Sequence, residues 1–371
     1  MKPWVLIVIP HTHWDREWYE PFEAMRARLV RTMDRLLDVL EAQPDISCFL
    51  LDGQTICVDD YLEVRPERRP DVERLVRAGR LVVGPNYVLA DEFLIGLESH
   101  VRSLMLGIRS ARAMARPMMV GYYPDSFGHI AHLPAILRGF GIDAVVIWRG
   151  VGEEVTTSEF RWASPDGSQV LAIYLPYGYS LGVDLPEEPG RLRERLQYVC
   201  QQLASLATTR YLLLPNGDDH RGLQEGIGRV VALAREVMPQ VEVVIGDYGR
   251  AVEAIKAELG ERILELPLLE GEFRSPHCSH VLPGVLSSRM WIKQRYQECE
   301  DLLCRWAEPL VVWARLLEPE GPWPWQSERS LLAHAWRLLL HNAPHDSICG
   351  CSIDEVHQEM EVRFSRCRQT G

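Results

Sequence analysis

Eight short apolar runs recur through the first two thirds of the chain: "VLIVI" from Val5, "CFLL" from Cys48, "LVVG" from Leu81, "MMVGYY" from Met118, "DAVVIW" from Asp143, "VLAIYL" from Val170, "YLLL" from Tyr211 and "VEVVI" from Val241. Between them, segments such as Phe22 to Leu40 and Asp71 to Arg80 place apolar residues at helical spacing. Runs that are continuously apolar rather than alternating belong to strands covered on both faces, the condition of a parallel sheet flanked by helices. The pattern predicts an α/β fold, either a parallel β/α barrel of the seven-stranded type or a wound sheet.

After about Pro267 the strand runs stop. "SSRMWIKQRYQECEDLLCRWAEPLVVWARLL" and "ERSLLAHAWRLLLHNAPH" are long, amphipathic and nearly free of glycine, so a three-helix bundle is expected to follow the sheet. The expected division is an α/β domain over 1–266 and a helical domain over 267–371. The last residues, "RFSRCRQTG", show no domain-closing element, which suits part of a longer chain.

With 371 residues, 47% of them hydrophobic and 25% charged, the chain can bury a large core. A net charge of −12 without a long Lys or Arg block argues against nucleic acid and anionic membranes as partners. No stretch approaches the ~18 apolar residues of a membrane span, and Trp4 to Ile9 is too short for the apolar region of a signal peptide. The nine cysteines are odd in number and lack zinc-finger pairing, so they read as reduced thiols. A cytoplasmic protein is expected, and a homo-oligomer is compatible with this composition.

In parallel α/β folds ligands sit beyond the carboxyl ends of strands. "PHTHWDREW" follows the first run, and in an extended chain His11, His13 and Asp15 share one side at roughly 7 Å intervals. That is within reach of one metal ion. "PDSFGH" follows "MMVGYY", "PNGDDH" follows "YLLL", and "LLLHNAPHDSICGCS" from Leu338 lies in the helical part. A single strand-end aspartate is commonly a helix cap, and "PDSFG" also reads as a tight turn. Four coincident sites point instead to a metal hydrolase. Imidazoles and carboxylates without a thiolate set suit zinc, with cobalt or manganese as alternatives, better than calcium. Cys349 and Cys351 read as packing residues, and "SPHCSH" from Ser275 as a loop.

Asp125 and Asp219 stand at separate strand ends and supply the two carboxylates that glycoside hydrolysis requires. The adjacency of Asp218 and Asp219 raises the pKa of one of them, because like charges at short range do not both ionise cheaply. Spacing alone does not say which is the acid.

Taken in order, "HTHWDREW", "PDSFGH", "NGDDH" and "HDSICGCS" resemble glycoside hydrolase family 38, the metal-dependent retaining α-mannosidases, over nearly the whole chain. "LLDGQT", "GPNYVLADEFL", "FGIDAVVIWRGV", "VLPGVLSSRMWIKQ" and "AEPL" look most like the bacterial branch, which includes α-mannosidases and mannosylglycerate hydrolases. The resemblance implies that His13, Asp15, Asp125 and His345 bind one divalent ion. It implies Asp125 as the nucleophile forming a covalent mannosyl-enzyme, and Asp219 as general acid and then base. Trp18 would stack under the sugar, with Arg149, Tyr179 and Asp218 as polar substrate contacts and His11 outside the ion's coordination shell. The implied substrate is a mannoside or mannose-containing oligosaccharide. Asn86 stands where many relatives have tryptophan, and His132 where glutamine is common; relatives also continue into β-rich domains. The rival readings are an amidohydrolase or deacetylase-like metal hydrolase, and a truncated, non-catalytic module that binds sugar or metal.

Overall fold

The computed structural model describes residues 3–319 and 324–371. Among these run ten strands: β1 (Trp4–Thr12), β2 (Phe49–Leu51), β3 (Leu81–Val82), β4 (Gly121–Tyr123), β5 (Ala144–Ile147), β6 (Glu159–Ala163), β7 (Gln169–Tyr174), β8 (Tyr211–Asn216), β9 (Val241–Ile245) and β10 (Leu268–Glu270). The architecture is α/β, with two five-stranded sheets and helices packed outside them.

β1 is the hub of the first sheet. It runs parallel to β8 from Val5 to Pro10 and to β9 from Trp4 to Val8, and then pairs through His11 and Thr12 with β2, which carries β3. Its alternate side chains enter two cores. Val5, Ile7 and Ile9 join Val146, Ile173 and Leu213 between the two sheets, while Leu6 and Val8 pack with Met25, Leu29 and Met33 of the helix Phe22–Ala42. Burial of each such side chain contributes roughly 1.5–3 kcal/mol. With both faces buried no polar position is left, so the run is continuous in the sequence.

The second sheet is ordered β10-β6-β7-β5-β4. Its inner face contributes Tyr122, Val146 and Ile173 to the core between the sheets, and its outer face packs Val145, Phe160 and Trp162 against Leu104 and Ile108 of the helix Leu97–Met114.

The strand pairing departs from an all-parallel arrangement in two respects. β6 runs antiparallel to β7, across a turn in which Gly167 has φ +85° and donates its N–H to the Ser164 carbonyl (2.9 Å). "SPDG" is a turn sequence with a physical reason behind it, but "EFRWA" alternates polar and apolar and escapes a search for continuous apolar runs. In addition, no ladder among the described residues joins the edges of one sheet to those of the other. β3 and β4 have only two and three residues, with the Met118 N–H donating to the Val83 carbonyl (2.9 Å) beside them, and side chains of β1, β2, β4, β5, β7 and β8 converge on one shared core.

The helices Met290–Asp301, Trp325–Leu340 and Asp354–Thr370 follow, the first continuing through wider π-type turns, Leu302–Ala307, into Glu308–Leu317. Tyr296, Leu339, Met360 and Phe364 belong to the same core as Met25 and Leu29. The helical segment is therefore continuous with the sheet part rather than packed as a separate body. The second sheet also runs past residue 266: β10 pairs with β6, and Phe273 bridges His129. All nine cysteines are free thiols, and no helix among the described residues is long and apolar enough to cross a membrane.

Candidate metal centre and active site

The carboxyl ends of the strands converge. His13 and Asp15 follow β1, Asp52 follows β2, Asp125 follows β4, Arg149 follows β5, Tyr179 follows β7, and Asp218 and Asp219 follow β8. β1 and β8 approach so closely beyond their last residues that a Cβ on Gly217 would lie 2.1 Å from the His11 carbonyl oxygen, which admits only glycine there. That approach carries the chain into the bridge between His13 and Asp219. His345 arrives from the helical segment at the start of the short helix His345–Cys349, where Pro344 bridges Ala90.

His13, Asp15, Asp125 and His345 meet. Asp15 Oδ1 lies 3.1 Å from both His13 Nε2 and His345 Nε2, and Asp125 Oδ2 lies 3.9 and 3.4 Å from the same two nitrogens. One donor atom each from His13, Asp125 and His345 falls within 4.8 Å of the others, as does a second set from Asp15, His345 and Asp346. The contacts lack hydrogen-bond alignment, so His13 Nε2, Asp15 Oδ1 and His345 Nε2 are all buried without a partner. Each such orphan costs about 1–3 kcal/mol, and a divalent cation at their meeting point satisfies all three. Both imidazoles are aimed by their other nitrogen, His13 Nδ1 at Asp52 Oδ1 (3.1 Å) and His345 Nδ1 at the Leu89 carbonyl (3.2 Å). With Nδ1–H donating, each Nε2 lone pair faces the cluster. The residues fit a metal ion.

The electrostatics divide the carboxylates. Burial works against charge on Asp15, but His13, His220 and His345 hold it well below the usual carboxylate range. Burial likewise opposes charge on Asp125, yet His345, His13 and Arg149 pull it below that range. Burial, with repulsion from Asp15 and Asp125, pushes Asp219 up against the pull of His13 and Tyr179. The neighbouring Asp218, expected from spacing to be the source of such a shift, accepts instead from Ser180 Oγ (2.7 Å) and through its carbonyl from the His13 N–H (3.2 Å).

The remaining predicted residues line the same region. Arg149 Nε donates to Asp125 Oδ1 (2.5 Å), while another guanidinium nitrogen reaches the His280 carbonyl (3.0 Å), the role the loop from Ser275 plays here. Tyr179 donates its hydroxyl to Asp219 Oδ1 (2.8 Å) and lays its ring 5.0 Å from that of His13. Trp18 is half-buried, 5.2 Å from the Tyr19 ring and anchored through its carbonyl by the Ile353 N–H (3.1 Å). His11 turns its Nε2 to the Tyr179 carbonyl (2.8 Å). Asn86 is buried and accepts from the Tyr123 hydroxyl (3.2 Å), while His132 is exposed at the start of the helix Leu133–Gly139.

Sequence reasoning left Asp52, His220 and Asp346 without roles. Asp52 follows an apolar strand run, the same signal that marked Asp125, and also accepts from the Trp14 N–H (2.9 Å) and Gln54 Nε2 (2.8 Å). His220 accepts the Asp15 N–H on Nε2 (3.1 Å), an arrangement no spacing reveals. Removing the carboxylate that orients a ligating imidazole typically weakens metal affinity by about 10–100-fold. Asp52→Ala is expected to show a loss of that size in a competition titration against a chelator, and an unchanged affinity removes Asp52 from that role.

Over residues 3–254 the chain matches the profile of the glycosyl hydrolases family 38 N-terminal domain. The chain belongs to glycoside hydrolase family 38. Residues 280–371 match the alpha mannosidase middle domain, so this family 38 site draws His13, Asp15, Asp125 and Asp219 from one matched region and His345 from the other. A Halalkalibacterium halodurans protein, named provisionally as a mannosylglycerate hydrolase, is 36% identical over 97% of this chain and 40% of its own length. Human alpha-mannosidase 2C1 is 25% identical over 97% of this chain and 33% of its own length. The crystal structure of an alpha-mannosidase from Enterococcus faecalis superposes with a TM-score of 0.93 at 34% identity, covering 99% of this chain and 41% of that one. The chain thus spans between a third and about two fifths of the length of these family 38 relatives.

Proposed function

We propose that this chain carries the metal-dependent catalytic centre of a retaining α-mannosidase. The observation that supports it most is the meeting of three unpartnered buried donor atoms beside one carboxylate pulled down, Asp125, with a second pushed up, Asp219. Two titratable groups driven apart by their surroundings are the signature of a nucleophile and an acid sharing one site. His13, Asp15, Asp125 and His345 would hold one ion, zinc by donor type, with cobalt or manganese as alternatives. When bound, the ion supplies a hold on adjacent sugar hydroxyls and stabilises developing charge.

The chain's own residues do the rest. Asp125, aimed by Arg149, attacks the anomeric carbon as Asp219 gives its proton to the departing glycosidic oxygen. Asp219 then takes a proton from water, which attacks the same carbon and releases Asp125. Tyr179 holds Asp219 in place, and Trp18 offers a face for the sugar ring.

A second reading concerns the aglycone. A cavity of about 650 Å³ adjoins Asp219 and His220 and is lined by Arg28, Arg31, Arg35 and Arg221. Arg35 pairs with Glu225 and Arg221 with Asp184, while Arg31 has no acidic partner among the described residues. The unpaired charge of Arg31 in a cavity that reaches the acid favours a leaving group that carries a carboxylate, as mannosylglycerate does.

The test is turnover of an aryl α-mannoside, mannose oligosaccharides and mannosylglycerate by the chain, stripped of metal and then supplied with zinc, cobalt or manganese. Loss on chelation and recovery with added ion are expected. Arg31→Ala should lower kcat/KM for mannosylglycerate by about tenfold, the loss of one charge-assisted contact, and leave the aryl mannoside unaffected. An ion that binds with no substrate turned over makes the chain a sugar- and metal-binding module and ends the proposal.

A further inference from the structure

A second set of donor atoms lies next to the candidate centre and takes no part in the mechanism above. Cys349 closes the helix His345–Cys349 with no exposed surface, and Gly350 then adopts φ +81°, a left-handed conformation that a side chain would strain. The chain turns back, bringing the exposed Cys351 thiol to 3.1 Å from Cys349 Sγ and 3.0 Å from Asp346 Oδ1. One donor atom each from Asp346, Cys349 and Cys351 lies within 4.8 Å of the others. The turn is pinned through its backbone: Lys293 Nζ donates to the Cys349 carbonyl (2.7 Å) and Arg289 Nε to the Gly350 carbonyl (3.2 Å). Among the described residues neither thiol nor the carboxylate has a hydrogen bond to a Lys or Arg side chain.

We propose that Asp346, Cys349 and Cys351 form a second cation site, selective for thiophilic divalent ions such as zinc or cadmium, on the flank of the His13, Asp15, Asp125 and His345 cluster. Two thiolates and a carboxylate are a zinc-type donor set, and the exposure of Cys351 supplies an entry path and an open fourth position. The distances lie nearer to this geometry than to a disulfide. With zinc–sulfur bonds of about 2.3 Å and zinc–oxygen bonds of about 2.0 Å, tetrahedral geometry sets the two sulfurs about 3.8 Å apart and sulfur from oxygen about 3.5 Å apart. The sulfur–sulfur edge opens by about 0.7 Å and the edge from Cys351 Sγ to Asp346 Oδ1 by about 0.5 Å. A disulfide would need the sulfurs to close by about 1 Å, to about 2.05 Å. Asp346 Oδ2 lies 3.8 Å from His345 Nε2, so an ion held by the thiols would also fix the turn that presents His345.

The 371-residue chain, reduced and stripped of metal, is titrated with cadmium while the sulfur-to-cadmium charge-transfer absorbance is followed and bound ion is counted. The first cluster contains no sulfur, so the band is blind to it. Cys351→Ser, at an exposed position, is expected to lose most of the band and to bind one ion fewer per chain, as is Cys349→Ser. Asp15→Asn, which disables the first cluster, and Cys278→Ser, at the other exposed thiol, should keep the band. Zinc in large excess should displace cadmium and bleach the absorbance. An unchanged band and ion count in Cys351→Ser overturns the proposal. So does a reduced wild-type chain that shows no band, whether or not thiol counting had found Cys349 and Cys351 oxidised to a disulfide beforehand.

Discussion

Asp125→Ala is expected to lower turnover of an aryl α-mannoside by about 10,000-fold or more, the scale on which removal of a covalent nucleophile is felt. The Asp125 carboxyl stands between Arg149 and the imidazoles of His345 and His13, a surrounding that keeps it ionised although it is largely buried. Because Asp125 is also a candidate ligand, loss of the ion could produce a similar drop, and a second measurement separates the two. Azide is small enough to enter where the carboxyl was. It should attack the anomeric carbon of an activated aryl α-mannoside, expel the aryl oxygen and give the β-mannosyl azide, raising the rate of Asp125→Ala. Asp15→Asn, which disturbs the ion but retains the nucleophile, should gain nothing from azide. Wild-type turnover in Asp125→Ala would end the nucleophile assignment, and so would a large loss that azide does not relieve in a variant that still binds its ion.

Asp219→Asn is expected to slow substrates with poor leaving groups by about 100- to 10,000-fold, the usual range for general acid catalysis, and to slow activated aryl mannosides far less. The amide keeps the Tyr179 hydrogen bond but has no proton to give. The pH dependence follows from the direction of the shift. Burial raises Asp219 above the ordinary carboxylate range, so its protonated form persists to higher pH than a solvated aspartate's would. Activity that needs the acid is present below that raised pKa and is lost as pH rises through it. In kcat/KM profiles the wild type should therefore show an alkaline limb that Asp219→Asn lacks. The same alkaline limb in both proteins would assign that limb to another group and remove Asp219 as the acid.

Much of this site is legible before folding because strands in a parallel α/β protein present their carboxyl ends to ligands. "HTHWD", "YYPD" and "LPNGDD" are each an apolar run followed by chemistry, and the structure brings all three to one place. Asp52 carried the same signal at the end of "FLLD". What distinguishes it is its contact with His13 Nδ1, a relation between two strands that neither run contains. The antiparallel β6 was hidden for a different reason. Its polar positions are satisfied inside the fold, Glu159 by the Thr208 and Ser158 hydroxyls and Arg161 by the Leu266 carbonyl, so a largely buried strand does not read as a continuous apolar run.

Local residue types thus determined that the chain is α/β followed by long helices, that its strand ends are acidic and imidazole-rich, and that two carboxylates were available for acid and nucleophile. Periodicity and side-chain chemistry act within a few residues, so those statements needed no tertiary contacts. Tertiary structure alone decided which donors share a cluster. His11, His13 and Asp15 are equivalent by spacing, yet His11 turns to the Tyr179 carbonyl while His13 and Asp15 face Asp125 and His345, which lie far along the chain. It also decided that Asp219 takes a raised pKa, because burial and the field of Asp15 and Asp125 act through space. Burial and charge depend on distance in three dimensions, and the one-dimensional spacing of "GDDH" leaves them open.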